Sequence, residues 1–479
     1  MLKLAARAVD KPLTFGVIVS SRQFFNPAHA VGARQEVLAV LAAQGHKAVI
    51  GDPELTADGA VACLADAQKY AALFRENRDQ IDGLIVVLAN FGDEIAVVET
   101  IRLAALGVPV LLQACPDQLG QLGVKGRRDS YCGKISVANN FYQYGIQWTD
   151  TASHTVDLAS PAFADDLAGF ARVCRTVLGL RTARIGAIGS RPAAFQTVRY
   201  SEKLLQRSGI TVVPVDLSEI FGAVERVPDN DPAVAAKLGQ IAGYGPVASG
   251  IASSKVLKQA KFSVVVERWM DDNGCDASAI QCWNSIQSNY GCASCLTMSM
   301  MGEDLRPSAC EVDITGAVSM YALDLASGRP SALLDWNNNY ADRSDLVVGT
   351  HCSNYPRSFM GSDIEIGNLD LLGETFGAEN CFGAIKGHVA PGAFTFFRAS
   401  TDDSRGCVRC YVGQGEFTAD PFDMNGGIAV CRIDHLTGLM KHITRQGFEH
   451  HVAMVRGSAA DVLQEAVERY LGWEFYRHA

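Results

Sequence analysis

Two doubly wound parallel-sheet domains of the Rossmann-like α/β kind, followed by a β-rich, antiparallel barrel-like domain, are what this 479-residue sequence predicts. Three observations carry that expectation. Through the first third, continuous apolar runs alternate with helical periodicity, as strands covered by helices on both faces do. The same strand-then-polar-loop layout restarts near residue 184. Past about residue 330 helical periodicity largely stops, and glycine, β-branched and aromatic residues alternate between closely spaced turn signals. The expected domains are 1–172, 173–330 and 331–479, the last ending in a helix.

The first strand is the run Phe15–Val19 in "LTFGVIVSSRQFFNP", and a helix pattern follows over Val31–Gln44. "HKAVIG", "IDGLIVVLANFGDE" and "VPVLLQA" read as strands, and "IAVVETIRLAALG" as a helix. Ligands of parallel sheets bind beyond the C-terminal strand ends, where this sequence has Ser20, Ser21, Arg22, Asn90, Phe91, Asp93 and Gln113. A helix around Phe163–Gly179 leads to "TARIGAIGSRPAAF", which repeats the opening layout. "ITVVPVDLSEI" and "FSVVVERWMD" continue that layout. Gly186, Gly189 and Ser190 lack the G-x-G-x-x-G spacing, so they do not make a dinucleotide loop. "FGAIKGHVAPGAFTFFRAS", "CVRCYVGQGEFTADPF" and "GIAVCRIDHL" supply the antiparallel strands, and the helix Ala459–Tyr470 closes the chain.

The composition excludes several classes. With 48% hydrophobic and 20% charged residues, the chain can bury an ordinary globular core. A net charge of −10 without a basic block leaves no electrostatic footprint for nucleic acid. No run of 18 apolar residues is available to span a membrane, and the N-terminus lacks the apolar stretch of a signal peptide. Fourteen cysteines then read as free thiols in a reducing cytoplasm. The pairs Cys292/Cys295 and Cys407/Cys410 have ligand-like spacing but no glycine-rich knuckle, so a zinc site is not expected there.

The chemistry begins at "SACEVDITGAVSMYAL", where Glu311 and Asp313 precede a buried helix. Burying a carboxylate without a partner costs several kcal/mol, so these acids call for a counter-charge. Asp335 ends an apolar run 24 residues after Glu311, His351 follows in "GTHCSNYP", and His450 and His451 stand in "GFEHHVAMV". Two carboxylates with one or two imidazoles are the donor set of a divalent ion: oxygen favours Mn²⁺ or Mg²⁺, and imidazole shifts preference toward transition metals. Gln281 and Trp283 in "AIQCWNSIQ" are candidate ligand contacts, since an indole offers a flat apolar face. Lys386, His388 and Glu416 read as structural.

The motifs "ACEVD", "LLDWNN", "HCSNYP", "GAIKGHVAPGAFTFFR", "GQGEF" and "GFEHHVAMV" resemble the C-terminal half of the L-fucose isomerase and L-arabinose isomerase superfamily, over about residues 270–460. The resemblance implies a manganese-dependent aldose–ketose isomerase working through an enediol, with Mg²⁺ or Co²⁺ as substitutes. It implies that Glu311 and Asp335 both bind the metal and move protons. One of His450 and His451 completes the set, with His451 favoured, and His351 is a fourth ligand or stands behind the ligands. It further implies that Arg22 reaches the substrate, often across a subunit boundary, in a homotrimer or homohexamer. The substrate class is a free monosaccharide, deoxy or modified. The chain is shorter than a typical fucose isomerase, so the sugar itself does not carry over. The alternative is a non-catalytic sugar-binding or regulatory paralogue of the same fold.

Overall fold

The computed structural model describes residues 9, 11–352, 354–424 and 426–479. Residues 1–8 and 10, used in the N-terminal reading, and residue 353 of "HCSNYP" lie outside them. The described chain divides into two compact units. One comprises Met1–Leu178 with Glu465–Leu471, the other Gly179–Gln464 with Gly472–Ala479.

The first unit is built on a five-stranded parallel sheet of order β2-β1-β3-β4-β5. Its elements in chain order are β1 (Thr14–Ser20), α1 (Ala28–Ala43), β2 (Lys47–Val49), α2 (Leu64–Glu76), β3 (Gly83–Leu88), α3 (Glu94–Ala104), β4 (Val110–Ala114), α4 (Ser130–Tyr144), β5 (Thr149–Asp150) and α5 (Pro161–Arg181). Strand β3 is buried end to end, as its unbroken apolar run requires. Asp93 starts α3 by accepting a hydrogen bond from the Ala96 amide at 2.8 Å. The strand order reverses between β1 and β3, and the polar loop residues meet there. The Asn90 amide donates to Ser21 Oγ at 2.8 Å, and its Oδ1 accepts from the Arg22 amide at 3.0 Å.

The second unit opens on β6 (Arg184–Ile188), α6 (Glu202–Arg207), β7 (Thr211–Val215), α7 (Leu217–Arg226), α8 (Pro232–Tyr244), α9 (Ser253–Asp272), β8 (Ala277–Ile280), α10 (Cys295–Glu303), β9 (Ser308–Ala309) and α11 (Ile314–Ser327). The strands form a parallel sheet of order β7-β6-β8-β9. "ITVVPVDLSEI" supplies β7 and the start of α7, but "FSVVVERWMD" is no strand. It lies in α9, where Phe262–Val266 are all buried. Its burial is nearly continuous, so tertiary packing overrides the β propensity of three valines. Gly186 within β6 and Gly189 just after it are explained by close packing. A Cβ on Gly186 would stand 2.7 Å from the Trp269 ring, and one on Gly189 would stand 2.6 Å from Gln281 Oε1.

The remaining strands make one large sheet: β10 (Ser331–Tyr340), β11 (Arg343–His351), β12 (Glu365–Asn368), β13 (Phe382–His388), β14 (Gly392–Asp402), β15 (Cys407–Phe417), β16 (Gly427–Arg432), β17 (His451–Arg456) and β18 (Glu474–Arg477). The order β16-β11-β10-β17-β14-β15 is antiparallel throughout, and β15 pairs back onto β16, closing a six-stranded barrel. Helices also interrupt this region: α12 (Asp370–Phe376), α13 (Leu436–Gln446) and α14 (Ala460–Gln464). Buried Leu436, Leu439 and Ile443 follow helical spacing in α13, a signal masked by the surrounding strands. The helix expected over Ala459–Tyr470 is present, as α14 continued by a π-helical stretch Glu465–Tyr470, and β18 follows it, paired in parallel with β15. Helix α11 is buried from Ile314 to Ala326, because β8 on one side and β10, β14 and β17 on the other all pack on it.

Candidate functional site

The segment joining β9 to α11 is backbone-strained. Glu311 and Val312 both adopt left-handed conformations, with φ of 52° and 54°. For a β-branched valine this is a genuine outlier, worth about 1–3 kcal/mol. Three amides hold it: Glu311 donates to Cys282 Sγ (3.4 Å), Val312 to the Ile280 carbonyl (3.3 Å) and Asp313 to the Cys310 carbonyl (2.9 Å). The turn directs Glu311 and Asp313 into one buried cluster.

The barrel supplies the rest through strand register. Asp335 on β10 is the direct antiparallel partner of His451 on β17, and of Thr350 on β11, beside His351. Residues more than a hundred positions apart therefore converge. The Nε2 of His451 lies 3.4 Å from Glu311 Oε2 and 3.4 Å from Asp335 Oδ1. The His351 Nε2 is 3.7 Å from the same Glu311 oxygen, and His450 Nε2 is 3.6 Å from Asp335 Oδ1. Both carboxylate oxygens, Glu311 Oε2 and Asp335 Oδ1, are buried and make no hydrogen bond.

Asp313 is the opposite case. Its Oδ1 accepts from the Gly316 amide (2.8 Å) and so caps α11. Arg398 clamps it with two bonds of 2.6 and 3.0 Å, and Arg398 itself is fully buried. Glu449 takes the remaining guanidinium face at 3.2 Å and accepts from Ser400 Oγ at 2.8 Å. The second Asp313 oxygen faces His451 Nδ1 at 2.8 Å. With that nitrogen donating, the Nε2 lone pair of His451 points at Glu311 and Asp335. In His351 the roles are reversed, because Nδ1 accepts from the Cys352 amide at 2.9 Å.

Titration behaviour follows from these contacts. Burial alone would raise the Asp313 pKa, but Arg398 and His451 outweigh it and hold the carboxyl far below its usual range. Burial raises Asp335, only partly offset by His451 and His450. Burial pushes His351 down to about 4 against the pull of Glu311. His450 is also pushed to about 4, by burial and then by His451. His451 moves upward, since Asp313 and the two other acids overcome its burial.

The other sequence candidates fall in several places. Trp283 packs edge-on against Phe195 at 5.1 Å, and Phe195 faces His450 at 6.3 Å. The buried indole N–H of Trp283 has no acceptor. Gln281 Oε1 accepts from the Ser190 amide at 2.8 Å. Arg22 belongs to the other unit, where its Nε donates to the Gly92 carbonyl (2.7 Å) and its guanidinium lies over Phe91. A cavity of about 130 Å³ opens beside the cluster, lined by Asp335, Asn337, His351, Cys352, Lys386 and Met424 among others. Lys386 pairs there with Asp370, His388 pairs with Asp363 and Glu416 with Arg432. Among the described residues, neither C-x-x-C pair joins a cluster of three or more potential ligands. Sequence reasoning passed over Arg398, Glu449, Cys282 and Phe195. Only the Glu311–Asp313 spacing hinted that a second buried acid needed a partner.

Comparison with known families places these features in context. The model of the fucose/sulfoquinovose isomerase N-terminal domain matches residues 16–181, and that of the L-fucose isomerase C-terminal domain matches residues 349–478. A sulfoquinovose isomerase of Alkalicoccus urumqiensis is 28% identical over 316 residues, covering 64% of this chain and 67% of its own length. One from Priestia aryabhattai is 25% identical over 297 residues, 61% of this chain and 64% of that protein. One from Clostridium sp. (strain MSTE9) is 24% identical over 375 residues, 73% of this chain and 78% of that protein. The aligned stretch thus spans about two-thirds of the length of the first two relatives. Among the described residues, no helix is long and apolar enough to cross a membrane.

Proposed function

The chain belongs to the fucose isomerase-like sugar isomerase superfamily, and from that premise we propose that it is a divalent-metal-dependent aldose–ketose isomerase acting on a free monosaccharide through an enediol. One observation carries the metal reading: two buried carboxylate oxygens, on Glu311 and Asp335, lack hydrogen bonds, yet each stands 3.4 Å from the same imidazole nitrogen. Oxygen donors with one imidazole fit Mn²⁺, with Mg²⁺ or Co²⁺ as substitutes. Glu311, Asp335 and His451 would hold the ion. His351 suits a hydrogen-bond role at Glu311 better than ligation, because its Nδ1 already accepts from the Cys352 amide. When bound, the metal would supply Lewis-acid stabilisation of the negative charge that develops on the sugar oxygens O1 and O2.

The residues divide the remaining work. Glu311, only 2% exposed and held by Cys282, is suited to stay in place as a ligand. Asp335, 24% exposed at the cavity, is suited to take the proton from C2 and return it to C1. His450, 39% exposed and 3.6 Å from Asp335, links that carboxylate to solvent. Trp283 and Phe195 offer an apolar wall with one free N–H for a sugar hydroxyl. Gln281 and Arg22 are weaker candidates, since each is already bonded to a neighbouring loop, at Ser190 and Gly92.

The substrates to test first are sulfoquinovose, after the relatives, and L-fucose, after the family models. A homotrimer or homohexamer is supported by apolar side chains left exposed in the first unit, among them Phe24, Leu119, Val124 and Tyr142. Fourteen cysteines, all outside disulfides, fit a reducing cytoplasm. Three sheets in consecutive stretches support a division near residues 172 and 330. The reading is tested by incubating the chelator-stripped protein with a panel of free aldoses, with and without Mn²⁺. Ketose formation that appears only with the ion supports it. A panel with no turnover in either condition refutes it.

A further inference from the structure

Glu311 belongs to two donor sets. Its Oε2 faces the imidazoles of His351 and His451. Its Oε1 faces sulfur, accepting from Cys282 Sγ at 3.3 Å, while the Glu311 amide donates back to that sulfur at 3.4 Å. The thiol of Cys310 lies within 4.8 Å of that of Cys282. The two sulfurs and a Glu311 oxygen all lie within 4.8 Å of one another, and all three side chains are buried. Ordinary core cysteines behave as small apolar groups. This pair instead converges on a carboxylate, at the Glu311 oxygen turned away from the imidazoles.

We propose that Cys282, Cys310 and Glu311 form a second cation site, selective for a thiophilic divalent ion such as Zn²⁺ or Cd²⁺, that competes for Glu311 with the carboxylate–imidazole cluster. The spacing suits it: with Zn–S bonds of about 2.3 Å, tetrahedral ligands stand roughly 3.8 Å apart. Thiolate donors select against Mn²⁺ and Mg²⁺, so the two sets differ in the ion they prefer. On binding, one M²⁺ forms two M–S bonds and one M–O bond. Each thiol releases its proton to water, and no electron is transferred. With Oε1 carrying an ion, less carboxylate charge remains for an ion at Oε2, and the two dications repel. A thiophilic ion therefore weakens Mn²⁺ binding. Only that last step rests on the metal reading of the isomerase site.

The test uses the full chain, reduced and stripped of metal, titrated with Cd²⁺ while the sulfur-to-cadmium charge-transfer absorption is followed. A band saturating near one equivalent is expected. Cys282→Ala and Cys310→Ala should each weaken the Cd²⁺ affinity behind it at least tenfold, whereas Cys407→Ala and His451→Ala should leave it in place. Should the alanine variants fail to fold, X-ray absorption of the wild-type protein with one equivalent of Cd²⁺ reads its neighbours directly, and two sulfurs are expected. In parallel, Cd²⁺ should lower Mn²⁺ affinity, read by electron paramagnetic resonance, at least tenfold in wild type and not in Cys282→Ser. A band indifferent to both cysteine variants, or cadmium without sulfur neighbours, overturns the proposal. The band reads metal–sulfur bonding whatever reaction the chain performs, so its absence leaves the isomerase reading standing, and the absence of turnover leaves this one standing.

Discussion

Glu311 and Asp313 are two residues apart, equally buried, and chemically opposite. Asp313 is saturated: a helix N-terminus, a bidentate arginine and an imidazole fill its lone pairs. Glu311 has one thiol on one oxygen and no hydrogen bond on the other. A buried acid with all its partners is a structural part, and removing a partner strands a charge. Glu311 Oε2 and Asp335 Oδ1 instead each stand 3.4 Å from His451 Nε2 without a hydrogen bond. The contrast separates a carboxylate locked into the fold from one that, on the isomerase reading, serves the chemistry.

Substitutions can break that contrast at either end. The largest effect is expected for Glu311→Gln, which keeps shape but removes charge. On the isomerase reading, turnover per enzyme should fall about 10⁴-fold, roughly 5 kcal/mol of transition-state stabilisation, while the thermal midpoint stays near that of wild type. Steady-state kinetics and calorimetry read the two halves. Arg398→Leu should do the reverse. Leaving Asp313 and Glu449 buried and unpaired should cost about 3–5 kcal/mol of stability, measured by urea unfolding of the metal-free protein.

Asp313→Asn probes the link between the two acids. It removes the charge that fixes the His451 tautomer, and a change of this kind typically lowers metal affinity about 10–100-fold. Mn²⁺ titration of a still-folded variant checks it. The smallest effect concerns pH. His351 titrates near 4 in the folded chain against about 6.5 when unfolded, so the folded state binds fewer protons between those values. Stability of the metal-free protein should therefore fall as pH drops from 6.5 toward 4, by on the order of 1–3 kcal/mol. The slope should be shallower in His351→Gln.

Much of the fold was legible because its signals are local. Unbroken apolar runs mark β1, β3 and β4, and turn spacing marks the barrel strands. The helical setting of "FSVVVERWMD" was not legible, because its valines are buried by neighbours that only the tertiary structure provides. Nor was the pairing of β15 with β16, a register set by long-range closure. In the site, the quoted motifs named the residues that meet: Glu311, Asp335, His351, His450 and His451. Arg398 was hidden because an arginine inside "FTFFRAS" reads as an ordinary strand residue. Its burial depends on two acids 85 and 51 positions away. The positive φ values at Glu311 and Val312 left no mark in the sequence either, since neither residue favours that conformation.

On the isomerase reading, a cation held between Glu311, Asp335 and His451 lets a carboxylate carry a proton between two carbons of a sugar. The most direct measurement is NMR of product formed from sulfoquinovose or L-fucose in D₂O by the Mn²⁺-loaded protein. Ketose carrying solvent deuterium at C1 is expected from the wild-type protein, and none from Glu311→Gln. Ketose made by the wild-type protein without solvent deuterium after many turnovers, or made equally well by Glu311→Gln, would contradict it.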